Sequence, residues 1–306
     1  MRVNHRITAY VLLALCAGCG HGSPTQVVVR GSAPLRHAMP AWSSKGTIVY
    51  RDNGITNIGL DFSYTVDSTK AGLWIIPAGG GAAYRFLSEG RDPAWSPSGD
   101  TLAVAQANCI ELYNAATGLR LVEIATGESP RYLGWSRDGR YLLWHHAYDH
   151  PGVYCAGSPS FTGSMLAEHG SFPEWDPVTG AVLYLLADGR SGTTVLLEVA
   201  PGSAHTDTLC TLSGALREER LSPGGSTIAF SAPGAVAGRW ELHSVWRTGA
   251  GRRQLTSLGG SMPAWSPDGS ALLFVREDPA SASSGANVIW KLDLSSMSET
   301  QLTSPW

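Results

Sequence analysis

The chain is built from short apolar blocks in which hydrophobic and polar positions tend to alternate, as they do in half-buried β-strands. The blocks TLAVAQ from Thr101, AVLYLLA from Ala181 and TIAFSA from Thr227 are typical, and Gly, Pro, Asp or Ser stands near their ends. A period of two residues between turn residues predicts strands, whereas an amphipathic helix has a period of 3.6 residues. We predict no helix after residue 19.

One strand-turn-strand phrase recurs along the chain, and its clearest copy reads MPAWSPDGSALLF from Met262. The six copies share an anchor position, which holds Trp in five of them and Leu in one: Trp42, Trp95, Trp135, Trp175, Leu221 and Trp265. Spacings of 40 to 53 residues between anchors fit a four-stranded propeller blade. Residues 36–306 are therefore predicted to form an all-β, six-bladed β-propeller with four antiparallel strands per blade.

The phrase itself is explained by its mechanical role in a propeller. Ser-Pro-Asp-Gly supplies a Pro with a fixed φ, followed by Asp and by a Gly that accepts positive φ, which together favour a tight turn between antiparallel strands. The Trp before the turn is expected to fill the wedge between neighbouring blades. We interpret the phrase as scaffold and look for function at its exceptions.

Residues 1–19 are typical of a secretory signal peptide, with basic residues ahead of an apolar run at 7–17 that is too short to span a bilayer. The run ends in LCAGC, which resembles a bacterial lipobox and would place a lipid on Cys19. Plain secretion and an uncleaved anchor are the alternatives. We expect residues 20–35 to be a tether in which only 27–29 can pair as a strand.

The phrase PxWSPDG, followed by an aliphatic-aromatic strand, a strand like LWxxDL and a closing RQLT, resembles the TolB-type propeller repeat. The resemblance covers residues 37–306 and implies the propeller fold. It also implies a protein partner, because TolB holds the peptidoglycan-associated lipoprotein on a propeller face. Similar repeats form the non-catalytic propeller of prolyl-oligopeptidase relatives, but no GxSxG nucleophile motif occurs in this sequence.

The net charge bears on whether the protein binds nucleic acid, and the cysteine content bears on whether it forms a disulfide. The formal net charge of -3 offers no electrostatic footprint for nucleic acid. Cysteines outside the predicted signal peptide can form disulfides in an oxidising compartment. We predict a disulfide between Cys109 and Cys155, which are expected on adjacent blades. Two unpaired, half-buried thiols are the alternative.

Two long insertions are predicted between second and third strands, at residues 51–71 and 145–162, on the face that also carries the blade-linking segments. The second insertion holds the densest group of potential metal ligands: His145, His146, Asp149 and His150. Imidazole and carboxylate groups suit zinc, copper or nickel. A solvated, aromatic-rich loop without metal is the alternative interpretation.

Two exceptions to the phrase are predicted near the propeller axis. Glu174 and Arg220 precede the anchors of neighbouring blades, where the other copies have Ala or Gly. They form either a polar mouth that recognises a ligand or an ion pair that offsets two buried charges. The predicted binding face consists of His37, Asp92, Glu174, Arg217, Glu218 and Arg220.

The sequence therefore favours a non-enzymatic, exported propeller that presents one face to a protein or peptide in the periplasm or cell envelope. We expect a monomer without a cofactor that contacts the membrane only through an N-terminal lipid anchor. A metal-dependent lyase or hydrolase using the His-rich loop is the alternative, and a structural sensor or spacer is a third possibility.

Overall fold

The computed structural model describes residues 26–30, 37–58, 63–146, 152–188, 192–203, 205–214, 216–277 and 287–304. The predicted signal peptide, including Cys19, and most of the predicted tether lie outside these ranges. Within them the regular structure is entirely β, and no helix is long and apolar enough to cross a membrane.

Six antiparallel sheets of four strands form the blades. Blades 1 to 3 consist of β2 (His37–Trp42), β3 (Thr47–Asp52), β6 (Gly72–Pro77) and β7 (Tyr84–Leu87); β8 (Arg91–Trp95), β9 (Thr101–Ala105), β10 (Cys109–Asn114) and β11 (Arg120–Ala125); and β12 (Pro130–Trp135), β13 (Tyr141–His146), β14 (Val153–Gly157) and β15 (Thr162–Ala167). Blades 4 to 6 consist of β16 (Ser171–Trp175), β17 (Val182–Asp188), β18 (Thr193–Val199) and β19 (Thr206–Ser213); β20 (Arg217–Leu221), β21 (Thr227–Pro233), β22 (Trp240–Trp246) and β23 (Arg253–Gln254); and β24 (Ser261–Trp265), β25 (Ala271–Glu277), β26 (Asn287–Asp293) and β27 (Glu299–Gln301). The predicted propeller is confirmed.

A separate three-stranded sheet accompanies the blades, made of β1 (Gln26–Arg30), β4 (Ile55–Ile58) and β5 (Ser63–Asp67) in the order β1-β5-β4. The strand predicted in the tether is thus confirmed, and its antiparallel partner β5 comes from the insertion in blade 1. The guanidinium of Arg85 in β7 donates to the carbonyls of Ser68 and Thr69, at 3.2 and 2.8 Å, and so holds the base of that insertion against the blade.

The repeated turn has the geometry expected from its residues. In blade 6, Gly269 has a φ of 73°, and the Ser266 hydroxyl donates to a carboxylate oxygen of Asp268 at 2.6 Å. The Ser266 amide donates to the Ala271 carbonyl at 2.9 Å and closes the loop. The turn is therefore held by its own side chains, as a scaffold element requires.

The core consists of six apolar clusters, one in each joint between neighbouring blades. For example, Ala103 and Ile110 of blade 2 pack with Leu142 and Trp144 of blade 3. Blade 1 packs against blade 6 in the same way, and no strand is exchanged between these two sheets. The ring is therefore closed by the packing of buried side chains. Such burial stabilises the fold by roughly 25 cal/mol for each Å² of apolar surface removed from water.

Candidate binding site

A cavity of about 380 Å³ lies on the propeller axis and is lined by the first strands of all six blades. We call it the axial cavity. Its walls include the five anchor tryptophans: Trp42, Trp95, Trp135, Trp175 and Trp265. At one end it is lined by the exposed turn residues Pro97, Pro223 and Pro267, so it reaches solvent there. Its volume lies within the usual range for small-molecule and side-chain pockets.

A β-bulge recurs in all six first strands, and five of its residues line the other end of the cavity. In each strand the register shifts, and the residue three positions before the anchor has a φ between 44° and 59°. These six residues, which we call the bulge ring, are Met39, Asp92, Tyr132, Phe172, Glu218 and Met262. Non-glycine residues seldom adopt positive φ. Its recurrence at the equivalent position of all six first strands therefore indicates a regular feature of this fold.

Side chains of the bulge ring accept hydrogen bonds from the main chain of the next blade. Glu218 accepts the amide N–H of Met262 at 2.7 Å, the sulfur of Met262 accepts that of Met39 at 3.3 Å, and the sulfur of Met39 accepts that of Asp92 at 3.3 Å. The amides freed from the strand ladder by the bulges therefore find partners.

Two of the anchor tryptophans also bond one blade to the next, whereas the indole N–H groups of Trp95 and Trp175 have no hydrogen-bond partner among the described residues. The indole N–H of Trp135 donates to the carbonyl of Ala94 at 3.1 Å, and that of Trp265 donates to the carbonyl of Arg220 at 2.8 Å. In each case the acceptor directly precedes the anchor of the preceding blade. The expected position of Trp between blades is confirmed, and the indole bond adds polar specificity to apolar packing.

Glu174 occupies a different kind of joint, between blades 4 and 5. Blade 5 has Leu221 at the anchor position and so lacks an indole N–H. Here a carboxylate oxygen of Glu174 accepts the main-chain N–H of Leu221 at 2.6 Å. Burial raises the pKa of Glu174 to about 7, and the Arg220 charge opposes that rise.

Arg220 lines the cavity beside this joint, and one of its N–H groups donates to the carbonyl of Glu219 at 3.0 Å. Its guanidinium carbon lies 5.7 Å from the centre of the Tyr132 ring. Among the described residues no carboxylate oxygen lies within 4.0 Å of it. Of the two interpretations of Glu174 and Arg220, a direct ion pair is not formed within the described residues, and the Glu174 carboxylate accepts the Leu221 amide N–H instead.

Asp92 has a cationic partner that the sequence did not predict. The Nε atom of Arg131 lies 2.5 Å from a carboxylate oxygen of Asp92, which is 5% exposed. Arg51 joins this cluster, and its pKa is lowered mainly by burial and by the charge of Arg91. Arg91 and Arg131 occupy the same position in the first strands of two neighbouring blades. This repetition in the sequence could have indicated the cluster.

The other predicted site residues take different positions. Glu218 accepts the Ser231 hydroxyl at 2.8 Å in addition to the Met262 amide, and it lines the cavity. Arg217 is exposed, and its guanidinium carbon lies 4.2 Å from the centre of the Trp240 ring. His37 begins β2 and pairs with Asp52. Arg217 is not among the described lining residues, whereas Asp92, Glu174, Glu218 and Arg220 are, so these four predicted residues meet at the cavity.

The predicted metal ligands do not converge within the described part of the chain. His145 and His146 are consecutive residues at the end of β13 and face opposite sides of the sheet. His145 stacks on Tyr132 with ring centres 5.2 Å apart, whereas His146 stacks on Tyr154 at 4.2 Å. Burial lowers the pKa of His145 to about 4. Asp149 and His150 lie outside the described residues, and no cluster of three potential ligands occurs among the others.

The predicted disulfide is also wrong, because Cys109 and Cys155 are free. The proposed insertion at 145–162 contains a complete third strand, β14, and Cys155 belongs to that strand. Its side chain packs with Trp175 and Tyr184 of blade 4, on the side away from blade 2 and Cys109. Burial raises the pKa of the Cys155 thiol to about 11.

Solved structures share this architecture at low sequence identity. TolB from Acinetobacter baumannii matches with a TM-score of 0.68 and 18% identity over 85% of this chain and 64% of that chain. Putative TolB from Agrobacterium tumefaciens matches with a TM-score of 0.61 and 16% identity, over 81% of this chain and 96% of that chain. The tricorn protease matches with a TM-score of 0.60 and 15% identity, over 89% of this chain and 26% of that chain.

These similarities show a TolB-like six-bladed propeller fold. The similar structures include both enzymes and other proteins. The chain spans 64% of the length of the Acinetobacter protein. No family model and no curated protein sequence matches the chain.

Proposed function

We propose that this propeller is a non-enzymatic binding module of the cell envelope that takes a segment of a partner protein or peptide into its axial cavity. The observation that carries the proposal is the cavity itself, which has tryptophan walls and reaches solvent beside Pro97, Pro223 and Pro267. Aromatic walls with a few polar groups are typical of binding pockets.

The polar groups of the cavity suit binding better than catalysis. The carboxylates of Asp92, Glu174 and Glu218 each accept a hydrogen bond of 2.5 to 2.8 Å from another part of the protein. Such bonds hold these carboxylates in fixed positions and occupy oxygen atoms that a general base would use to accept a proton. A rigid, preformed pocket also lowers the entropic cost of binding a flexible peptide.

The proposed location rests on features of the sequence. The apolar run at 7–17 and the LCAGC motif support export, with lipidation of Cys19 as the anchor. We propose that the propeller works as a monomer attached to a membrane through this lipid, and that the partner lies in the periplasm or envelope.

Crosslinking from the native envelope tests the proposal when the cavity is blocked by a single side chain. Gly134 precedes an anchor, and a Cβ atom there has the Pro173 carbonyl oxygen as its nearest neighbour, at 3.8 Å. Gly134→Leu should therefore fill the cavity without a backbone clash and abolish capture of the partner. Gly79→Leu, in an open turn away from the cavity, is the matched control and should capture it as the wild type does. Equal capture by Gly134→Leu would refute the proposal.

The alternative of a metal-dependent lyase or hydrolase has less support, because His145 and His146 face opposite sides of β13. Metal analysis of the purified protein separates the two functions. Stoichiometric zinc, copper or nickel that disappears in His146→Ala or His150→Ala would favour the enzyme. A folded protein without such metal would favour the binding module.

A further inference from the structure

Four charged side chains line the axial cavity, and they differ in how fully the protein already uses them. Three are the carboxylates of Asp92, Glu174 and Glu218, and the fourth is the guanidinium of Arg220. Asp92 is paired with Arg131, and Glu218 accepts both a hydroxyl and a main-chain N–H. These carboxylates are therefore occupied as acceptors, and their charges are compensated by donors that belong to the fold.

Arg220 stands apart from this group because its donors are largely unused. A guanidinium carries five N–H donors. Within the described residues, one hydrogen bond from the Arg220 side chain is formed, to the Glu219 carbonyl at 3.0 Å. The Tyr132 ring at 5.7 Å offers a weak cation–π contact, and no carboxylate in the described part of the chain pairs with the cation. The other N–H groups of Arg220 lie on the wall of a cavity that reaches solvent, where a ligand can accept them.

We infer that the axial cavity binds its ligand through a carboxylate group that pairs with Arg220. This inference rests on the proposed function and names the chemistry of the bound segment. The planar fork of a guanidinium matches the two oxygens of a carboxylate, and the surrounding indole rings favour an apolar body attached to that group. The carboxylate belongs to a peptide, either at its C-terminus or on an Asp or Glu side chain.

The position of Arg220 in the repeat supports a role in binding rather than in folding. The equivalent residues Ala41, Ala94, Gly134 and Ala264 are small and serve the scaffold without any polar group. The scaffold bond at position 220 uses the main chain, because the Trp265 indole donates to the Arg220 carbonyl at 2.8 Å. Replacing the side chain leaves that bond in place.

Matched peptides test the inference on the purified full chain, with quenching of tryptophan fluorescence as the readout. N-acetyl-Leu-Phe with a free C-terminus is compared with its C-terminal amide, and N-acetyl-Leu-Asp-Phe-amide with N-acetyl-Leu-Asn-Phe-amide. At least one acid should bind about tenfold or more tightly than its neutral match, in line with a charge-assisted pair. The acid that does so identifies the source of the carboxylate.

Variants then assign the preference to one residue. Arg220→Gln should remove the difference between acid and amide while leaving the thermal melting temperature within a few degrees of the wild type. Arg220→Lys should restore part of it, and Arg253→Gln, at an exposed position of β23, should preserve it in full.

Two outcomes overturn the inference. One is binding of acids and amides with equal affinity, and the other is a preference for acids that survives in Arg220→Gln. Absence of binding by every acid also counts against it. If Gly134→Leu still abolishes partner capture while Arg220→Gln does not, the proposed function stands and the carboxylate inference fails.

Discussion

The joint between blades 2 and 3 and the joint between blades 4 and 5 are held by different hydrogen bonds. In the first, the Trp135 indole donates to the Ala94 carbonyl. In the second, the anchor is Leu221, and the side chain of Glu174 accepts the Leu221 main-chain N–H. The joint that lacks an anchor indole is therefore one in which a glutamate side chain accepts a hydrogen bond from the next blade.

The difference shows how a repeat protein can place a charged side chain near its axis and still keep a hydrogen bond between neighbouring blades. The joint between blades 2 and 3 uses neutral groups, and its acceptor position holds the small residue Ala94. The exceptional joint moves a carboxyl group into the cavity wall, beside the cation of Arg220. It also makes the stability of that joint sensitive to pH, because Glu174 titrates and an indole does not.

The largest expected effect comes from truncating either anchor. Trp135→Ala and Leu221→Ala should each lower the free energy of unfolding by about 3 kcal/mol, because both leave a cavity in a joint cluster. Urea unfolding measures the loss. Leu119→Ala, at an exposed position, is the control and should change little. A loss below about 0.5 kcal/mol for either anchor would contradict its role in the joint.

A pH series should separate the two joints. The pKa of Glu174 is raised to about 7 in the folded state, above roughly 4.3 in an unfolded chain. Its neutral form therefore contributes stability that is complete below about pH 4 and is lost as the pH rises through 7. Urea unfolding should show a decrease of about 2 kcal/mol between pH 5 and pH 8 that is absent in Glu174→Gln.

Glu219 complicates that series, because burial also raises its pKa well above the usual range. The comparison is therefore best made in a Glu219→Leu background. An unchanged pH dependence after Glu174→Gln would show that the Glu174 carboxyl does not titrate as described.

Glu219→Leu should itself be stabilising, by about 1 to 2 kcal/mol at pH 7. The Glu219 carboxyl is 4% exposed, and neither oxygen has a hydrogen-bond partner among the described residues. The equivalent position in blade 3 is Leu133, which packs in a joint cluster. Thermal unfolding checks the gain, and a lower melting temperature for Glu219→Leu would reveal an unrecognised role for the carboxyl.

The smallest expected effect distinguishes one tryptophan from another. Trp135→Phe should cost about 1 kcal/mol more than Trp95→Phe, because only the first removes a hydrogen bond that the described residues show. Equal losses in urea unfolding would mean that the indole bond contributes nothing beyond packing.

The fold could be predicted because the phrase repeats its turn residues and its anchor in all six copies. The meeting of Asp92, Glu174, Glu218 and Arg220 was also predictable, since equivalent positions of a closed ring face the same axis. The bulge ring was not, because its positions hold residues as different as Met39, Tyr132 and Glu218 and no glycine. Positive φ there depends on strand pairing and not on local composition.

The errors at residues 145–162 have a similar origin. The strand β14, VYCAG, carries Cys, Ala and Gly and is flanked by Gly and Ser, so it resembles a loop. Only its pairing with β13 and β15 shows it as the third strand of blade 3. That placement turns Cys155 toward blade 4 and separates it from Cys109.

Photo-crosslinking in the native host tests the central claim most directly, namely that the axial cavity, and not the outer surface of the blades, is the binding site. A diazirine amino acid is placed at Pro223, beside the cavity opening, or at Leu121, exposed on the outer strand β11. A partner crosslinked from position 223 and not from 121, and lost when Gly134→Leu is added, is the predicted result. Crosslinks from position 121 alone, or crosslinks from 223 that survive Gly134→Leu, would contradict it.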